Sequence, residues 1–525
     1  MQDYSLSGKS ICGKIQLKRA CSQTQTRMNF SHASSIRPLK TNYKRMKKLL
    51  FLFSLMFWGL LAAAQHEEQV YTPDPNPRIQ QRIGEWQDIK FGLLMHWGPY
   101  SQWGIVESWS ICPEDEGWCV PDTVKDYFAY RKQYENLGKT FNPVKFDPEK
   151  WAKAAKGAGM KYVVFTTKHH DGFCMFDSKY TDYKITGKDC PFHTNPKADV
   201  TKEIFNAFRN QGLWIGAYFS KPDWHSQEYW WPHFPPLDRN VNYDPAKYPD
   251  KWNKYVDFTH NQVMELCTNY GKIDLLWFDG GWVQKNEVKG EAPNVAGFKV
   301  KKPFNQDIRM DELVEKIRSK QPDAIVVDRA VEGKNQNYLT PENMVPKKMF
   351  PYPWESCIIM GGGWSFSYNA TMKPTRELIH MLADIVAKGG NLLLNIGPGP
   401  DGTWYDEAYT RLAEIGVWMK MNGEAIYGTR AIAPYLDGKL RFTHGKDGSA
   451  YIIYLLDENE KVPAEIQVKG FIPAKGAKIT LLGKKGSSLK WKADGKDFKI
   501  AFPQTLSKVL PSGYAIVFKV SKVIQ

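Results

Sequence analysis

Apolar and polar positions fall into alternating blocks along most of this chain, and the blocks predict its elements. Short, mostly apolar runs over 89–95, 161–167, 212–219, 273–278, 324–328 and 391–396 predict buried strands. Between them apolar positions recur at helical spacing. The clearest case is 250–270, where Trp252, Val256, Thr259, Val263 and Leu266 share a face and Gly271 stops the helix. The same spacing predicts helices over 148–158, 200–211, 307–319, 374–388 and 404–421. Such alternation predicts an α/β domain with a parallel sheet, most economically a (β/α)8-like (TIM) barrel over 81–430, although fewer than eight clean strands are visible. The stretches 95–145 and 221–250, the second rich in Trp, Pro and His, read as elaborated loops, which in a compact domain are usually functional.

After about Arg430 the pattern changes. Lys439-Leu-Arg-Phe442, Ala450-Tyr-Ile-Ile-Tyr-Leu-Leu456, Ala477-Lys-Ile-Thr-Leu-Leu482, Phe498-Lys-Ile-Ala-Phe502 and Tyr514-Ala-Ile-Val-Phe518 are short strand-like segments between Gly and Lys turns. They predict a C-terminal β-sandwich domain over 431–525, with no residue cluster suited to chemistry.

Charge changes the picture at the amino end. The chain of 525 residues carries +15, but residues 1–64 hold eleven Lys and Arg against Asp3 alone, so removing that surplus of 10 leaves about +5. A protein built to hold nucleic acid keeps its charge in the folded part, so a nucleic-acid partner is excluded. Met46-Lys-Lys followed by an apolar run to Ala62-Ala-Ala64 reads as a secretory signal over 46–64. Met46 is then the start, residues 1–45 an extension wrongly joined to it, and 65–80 a polar leader. Export to the periplasm or medium is expected, with no stable membrane span after cleavage. Six cysteines follow, Cys112, Cys119, Cys174, Cys190, Cys267 and Cys357, without metal-like spacing or a dense framework. Stability should come from the core, with Cys112 and Cys119 spaced to bridge a loop or, like the rest, to stay buried thiols.

Candidate chemistry gathers at strand ends, the habit of parallel barrels. Ile273-Asp-Leu-Leu-Trp-Phe-Asp279-Gly-Gly281 runs from an apolar strand into an acid and two glycines. Phe91-Gly-Leu-Leu-Met-His96-Trp-Gly98 and Tyr162-Val-Val-Phe-Thr-Thr-Lys-His169-His170-Asp171-Gly172 also end in polar clusters. Alternation along a strand turns His169 and His170 to opposite faces, a poor metal clamp, so hydrogen bonding to hydroxyls suits them better. Gly397-Pro-Gly399-Pro-Asp-Gly402 matches a phosphate-loop spacing, but Pro398 and Pro400 remove two amides, leaving a tight strand-to-helix turn. Aromatic residues make up 14% of the chain and many fall in the loops, which favours a carbohydrate ligand. Glu332 and Glu342 follow the strand ending at Asp328-Arg329, and Glu355 lies in Trp354-Glu-Ser-Cys357.

Together these segments resemble the family-29 α-L-fucosidases. The matches are Leu94-Met-His96-Trp-Gly, Thr167-Lys-His169-His170-Asp171-Gly-Phe, Leu276-Trp277-Phe-Asp279, Asp328-Arg329, Thr340-Pro-Glu342, Trp354-Glu-Ser-Cys and Gly390-Asn-Leu-Leu-Leu-Asn395-Ile-Gly-Pro, in family order. The resemblance implies a retaining exo-glycosidase that releases L-fucose from oligosaccharides or glycoconjugates without a metal or organic cofactor. It makes Asp279 the nucleophile and Glu342 the acid/base, with Glu332 and Glu355 competing for the second role. His96, His169 and His170 would hold fucose hydroxyls, with Tyr218 and Arg329 also in the pocket. Trp277 and Trp364 match positions that wall the sugar, and Glu107 and Trp109 match further contacts. A retaining enzyme of this kind needs two carboxyl groups about 5–5.5 Å apart.

Overall fold

The computed structural model describes residues 70–113, 119, 124–286, 304–484, 486–507, 510 and 512–524. The segment read as a signal, the extension before it and residues 65–69 of the leader lie outside these residues. In chain order the first elements are α1 (Pro77–Ile89), β1 (Phe91–Met95), α2 (Tyr127–Glu135), α3 (Pro148–Gly157), β2 (Tyr162–Lys168), α4 (Val200–Asn210), β3 (Trp214–Ser220) and α5 (Pro249–Asn269). They continue with β4 (Leu275–Asp279), α6 (Met310–Lys320), β5 (Ile325–Asp328), β6 (Glu355–Ile359), α7 (Thr375–Ala387), β7 (Asn391–Asn395) and α8 (Asp406–Asn422).

The seven strands make one parallel sheet in the order β5-β4-β3-β2-β1-β7-β6. Its edges, β5 and β6, are joined by an irregular stave over 336–343. The Asn337 amide donates to the Val326 carbonyl at 3.0 Å, and the Glu355 amide donates to the Leu339 carbonyl at 2.8 Å. Leu339 and Glu342 bridge Trp354 and Cys357 in parallel. With this stave the barrel has eight walls in sequence order. No helix lies in 329–335 or 344–354, which is why the strand–helix rhythm falls short of eight there.

Period-two alternation sorts the strand residues. Leu94, Tyr162, Val164, Tyr218, Leu275, Trp277, Ile325, Val327, Cys357 and Leu393 fill the barrel interior. Their neighbours Leu93, Phe165, Ile215, Leu276, Val326 and Leu394 face the helices, where Trp151, Phe205, Leu266, Ile317 and Leu382 cover them. Each such burial contributes about 1.5–3 kcal/mol. Helix α1 closes one end of the barrel with Ile79, Ile83 and Trp86. It starts at Asn76, whose side chain accepts the Arg78 amide hydrogen, with Pro77 at the first position. Residues 77–80, read as leader from composition, therefore belong to a helix set by its cap and buried face. Helix α2 likewise occupies part of the stretch read as loop over 95–145, capped by Asp126.

The antiparallel part comprises β8 (Thr429–Asp437), β9 (Leu440–Gly445), β10 (Ala450–Leu455), β11 (Glu465–Val468), β12 (Ile472–Pro473), β13 (Ile479–Leu481), β14 (Trp491–Asp494), β15 (Asp497–Ala501), β16 (Ala515–Val520) and β17 (Val523–Ile524). A five-stranded sheet, β13-β16-β10-β9-β8, faces a three-stranded one, β11-β15-β14, across Phe442, Ile452, Val468, Phe498, Ile516 and Phe518. The alternate residues Ile453, Leu455, Ala515 and Val517 join the barrel's outer core instead. There Trp418 of α8 donates its indole hydrogen to the Ala515 carbonyl at 2.9 Å. No helix among the described residues is long and apolar enough to cross a membrane.

Candidate active site

The inward parity of the strands, carried to their carboxyl ends, assembles the site. Two residues beyond inward-facing Leu94, Trp277, Val327 and Leu393 come His96, Asp279, Arg329 and Asn395. Asn395 stands behind His96, and the other three line a cavity of about 330 Å³, within the usual range for small-ligand sites. His96, Glu107, Trp109, His169, Trp277, Asp279, Arg329, Glu342 and Trp364 line it. Tyr218 and His170 touch Asp279 from outside that lining. The eleven residues to which the resemblance gives first place in the site thus lie together, whereas the competing Glu332 and Glu355 do not line the cavity.

Asp279 is held from two sides. Tyr218 donates its hydroxyl to Oδ2 at 2.7 Å, and Arg329 Nη1 donates to Oδ1 at 2.9 Å. His170 Nε2 lies 3.8 Å from Oδ2. Burial alone would raise the pKa of this carboxyl. Arg329, His170, Tyr218 and the Gly280 amide together outweigh burial and hold it well below the usual carboxylate range. Burial pushes His170 itself down to about 3, so its ring is neutral at neutral pH and the guanidinium carries the opposing charge. Arg329 also reaches Glu342 through Nη2 and lies over the Trp277 ring, 5.3 Å from its centroid. Next to it in sequence, Asp328 pairs with Lys221 at 2.5 Å, tying the end of β5 to the end of β3.

The histidines are oriented from behind. His96 Nδ1 lies 2.8 Å from Asn395 Oδ1, and His169 Nδ1 lies 2.5 Å from Ser108 Oγ. His170 Nδ1 contacts Ser220 Oγ. Burial drives His96 down to about 4 and His169 well below its ordinary value. Strand alternation does not separate His169 from His170, contrary to the expectation from sequence. β2 ends at Lys168, and the two rings lie with centroids 4.2 Å apart, His169 lining the cavity and His170 beside Asp279.

The three acids weighed for a second carboxyl role stand in different places. Glu342, on the irregular stave, lines the cavity with Asp279. Glu332 is exposed and accepts the Val70 amide hydrogen at 3.3 Å, outside the cavity lining. Glu355 is fully buried at the start of β6, also outside it. A fourth carboxyl, Glu107, is buried in the wall and accepts the Ser365 amide hydrogen at 2.7 Å. Burial pushes it up to about 8, with Glu342 and Asp279 adding to the rise, so it is protonated at neutral pH.

Sequence reasoning missed Arg239 and Trp282. The Arg239 guanidinium sits 4.8 Å from the Trp109 ring centroid and 5.2 Å from that of Trp282, all three lining the cavity. Trp282, three residues beyond Asp279, was within reach of a reading that followed the strand end further. Arg239 lies in the 221–250 loop, where no local pattern marks it.

An ionised carboxylate, a protonated carboxylic acid, neutral histidines and aromatic walls in one cavity suit a polyhydroxylated ring. The family model described as alpha-L-fucosidase matches residues 59–424. The chain belongs to the α-L-fucosidase family. As a family member it is a glycoside hydrolase. Human tissue alpha-L-fucosidase is 28% identical over 491 residues, spanning 90% of this chain and 97% of that protein. The mouse tissue enzyme is 27% identical over 470 residues, spanning 86% and 95%. Among solved structures, alpha-L-fucosidase isoenzyme 1 from Paenibacillus thiaminolyticus superposes with a TM-score of 0.67 at 30% identity, covering 85% of this chain and 100% of that one. The Thermotoga maritima alpha-fucosidase in complex with fucose gives 0.64 at 26% identity, covering 86% and 100%.

Proposed function

We propose that this α-L-fucosidase family member is a retaining exo-enzyme that hydrolyses terminal α-L-fucosyl linkages of oligosaccharides or glycoconjugates, with Asp279 as nucleophile and Glu342 as acid/base. The carrying observation is the single guanidinium of Arg329 between the two carboxyls, which keeps Asp279 ionised at the end of β4 while Glu342 faces the same cavity. In the first step an Asp279 oxygen attacks the anomeric carbon. The bond to the leaving oxygen breaks, and that oxygen takes the proton of Glu342. In the second step Glu342 removes a proton from water, whose oxygen attacks the same carbon and releases Asp279 and fucose. His96, His169, His170 and protonated Glu107 are the hydrogen-bonding partners for the ring hydroxyls, and Trp277, Trp364 and Trp109 wall the ring. A cavity at the end of a barrel, rather than an open groove, fits the end of a glycan chain. The signal over 46–64 makes the enzyme an exported one, periplasmic or secreted.

One observation favours a second reading of the proton donor. Glu342 is ion-paired with Arg329, whereas burial pushes Glu107 up to about 8, so it holds a proton at neutral pH. In that reading Glu107 supplies the proton of the first step.

Release of L-fucose from an aryl α-L-fucoside and from α1,2-, α1,3-, α1,4- and α1,6-fucosylated oligosaccharides tests the proposal. Wild type should release fucose and Asp279→Asn should not. No release from any of these by folded wild type would overturn the substrate assignment.

A further inference from the structure

Glu355 is a carboxyl that the reaction does not use, yet it sits beneath the groups that the reaction needs. It is 0% exposed, inside the barrel at the first residue of β6. Donors from three other staves converge on it. The Tyr162 hydroxyl of β2 lies 2.5 Å from Oε2, and Trp277 Nε1 of β4 lies 3.3 Å from Oε1. The Tyr338 hydroxyl of the irregular stave lies 3.2 Å from Oε1. The Tyr162 ring has room only because residue 92 is glycine, where a Cβ would stand 2.4 Å from it. A buried carboxyl without a cation beside it costs stability, and an apolar residue would fill the space at less cost. Its hydrogen bonds lead directly to the site. The Trp277 indole stacks on Tyr218 with centroids 5.3 Å apart and lies under Arg329. Tyr218 and Arg329 hold the two oxygens of Asp279. Tyr338 precedes Glu342 by four residues on the same stave and stacks on Trp86 at 3.9 Å.

We propose that Glu355 is a positioning residue, which sets the angle of the Trp277 indole against the sugar and the register of the stave that carries Glu342. This rests on the reading of Asp279 and Glu342 as the reacting pair. A tilt of the indole moves both groups that hold Asp279, and a slip of the stave moves Glu342.

The test is a double-mutant cycle in the full chain on an aryl α-L-fucoside, with wild type, Glu355→Gln, Trp277→Phe and the double variant. Glu355→Gln should lower kcat/KM by roughly 10²-fold, the cost of a misplacement of about 1 Å, with KM rising and kcat falling while the fold holds. In the Trp277→Phe background the same change should cost clearly less than in wild type, because the indole route is already lost and only the stave route through Tyr338 remains. Wild-type kcat and KM in Glu355→Gln, or losses that multiply in the double variant, would overturn the proposal in favour of a purely structural tie. Azide that restores turnover to Glu355→Ala would overturn it too, by making Glu355 the acid. If Glu355→Gln does not fold, Tyr338→Phe replaces it. A lower kcat at unchanged Tm then supports the role, and unchanged kinetics overturn it. A folded wild type that releases no fucose overturns the reaction assignment itself, a result distinct from a wild type that turns over and variants that do not differ from it.

Discussion

Arg329 Nη1 stands 2.9 Å from Asp279 Oδ1 while Nη2 of the same guanidinium contacts Glu342. One cation therefore governs the charge of the Asp279 carboxylate and the resting place of the Glu342 carboxyl. The end of β5 is in turn fixed to β3 through Asp328 and Lys221, so the arrangement does not depend on a loop side chain alone.

Removing that cation should be costly in a diagnostic way. In Arg329→Gln the largest influence opposing burial of the Asp279 carboxyl is gone, so its pKa rises. The acid limb of the kcat/KM profile should move to higher pH, and kcat/KM at neutral pH should fall on the order of 10²-fold. A pH–rate profile of the variant checks this, and an unmoved acid limb would contradict the role of Arg329.

For Glu342→Ala the expected loss in kcat is roughly 10²–10⁴-fold. Azide should restore turnover of a fucoside with a good leaving group, because azide attacks the anomeric carbon of the fucosyl-enzyme in place of water, needs no general base, and releases Asp279 and a fucosyl azide. Rescue of Glu107→Ala instead would transfer the acid/base role to Glu107.

Glu107 makes the basic side of the profile readable. Its carboxyl is protonated below about 8 and ionises above it, adding a charge beside Asp279 and Glu342. Activity on free enzyme should therefore fall as pH rises through 8, and Glu107→Gln should lack that limb. Stability has the same sign. The folded state keeps a proton that the unfolded chain releases above its ordinary value of 4.5, so wild type loses stability between 4.5 and about 8. Thermal melts across that window should show Tm falling less in Glu107→Gln.

Asn395 is expected to matter without touching the reacting atoms. Its Oδ1 lies against His96 Nδ1, and its Nδ2 donates to the Trp364 carbonyl at 2.7 Å, so it orients two walls of the cavity. Asn395→Ala should raise KM for the fucoside by about tenfold with little change in Tm, the size of one lost hydrogen-bonded orientation. Steady-state kinetics beside a melt decides it.

The legible parts of this chain were those that local chemistry determines. The strand ending at Asp279 was readable because an apolar run meets an acid and two glycines, and the sandwich because its strands alternate between Gly and Lys turns. Other parts depend on contacts far along the chain. β6 is five residues containing Glu, Ser and Cys, and the stave over 336–343 has no regular ladder, so neither shows a strand period. Helix α2 buries only Tyr134, which leaves little amphipathic signal. The residue pattern alone left the three acids open, and only the resemblance put Glu342 first, because a strand's direction relative to the cavity is a tertiary fact. Glu355 opens its strand and lies in the barrel interior, whereas Glu342 lies near the end of its stave, beside the cavity. Arg239 is placed by two tryptophans 130 and 43 residues away.

The central claim is that Asp279 bonds to the sugar. Incubation of wild type with 2-fluoro-fucosyl fluoride, followed by intact-mass and peptide mapping, tests it most directly. A single added 2-fluorofucosyl group on the peptide carrying Asp279, absent in Asp279→Asn, is the predicted result. The same group on Glu342, Glu107 or Glu355, or no adduct on an enzyme that turns over fucosides, would contradict it.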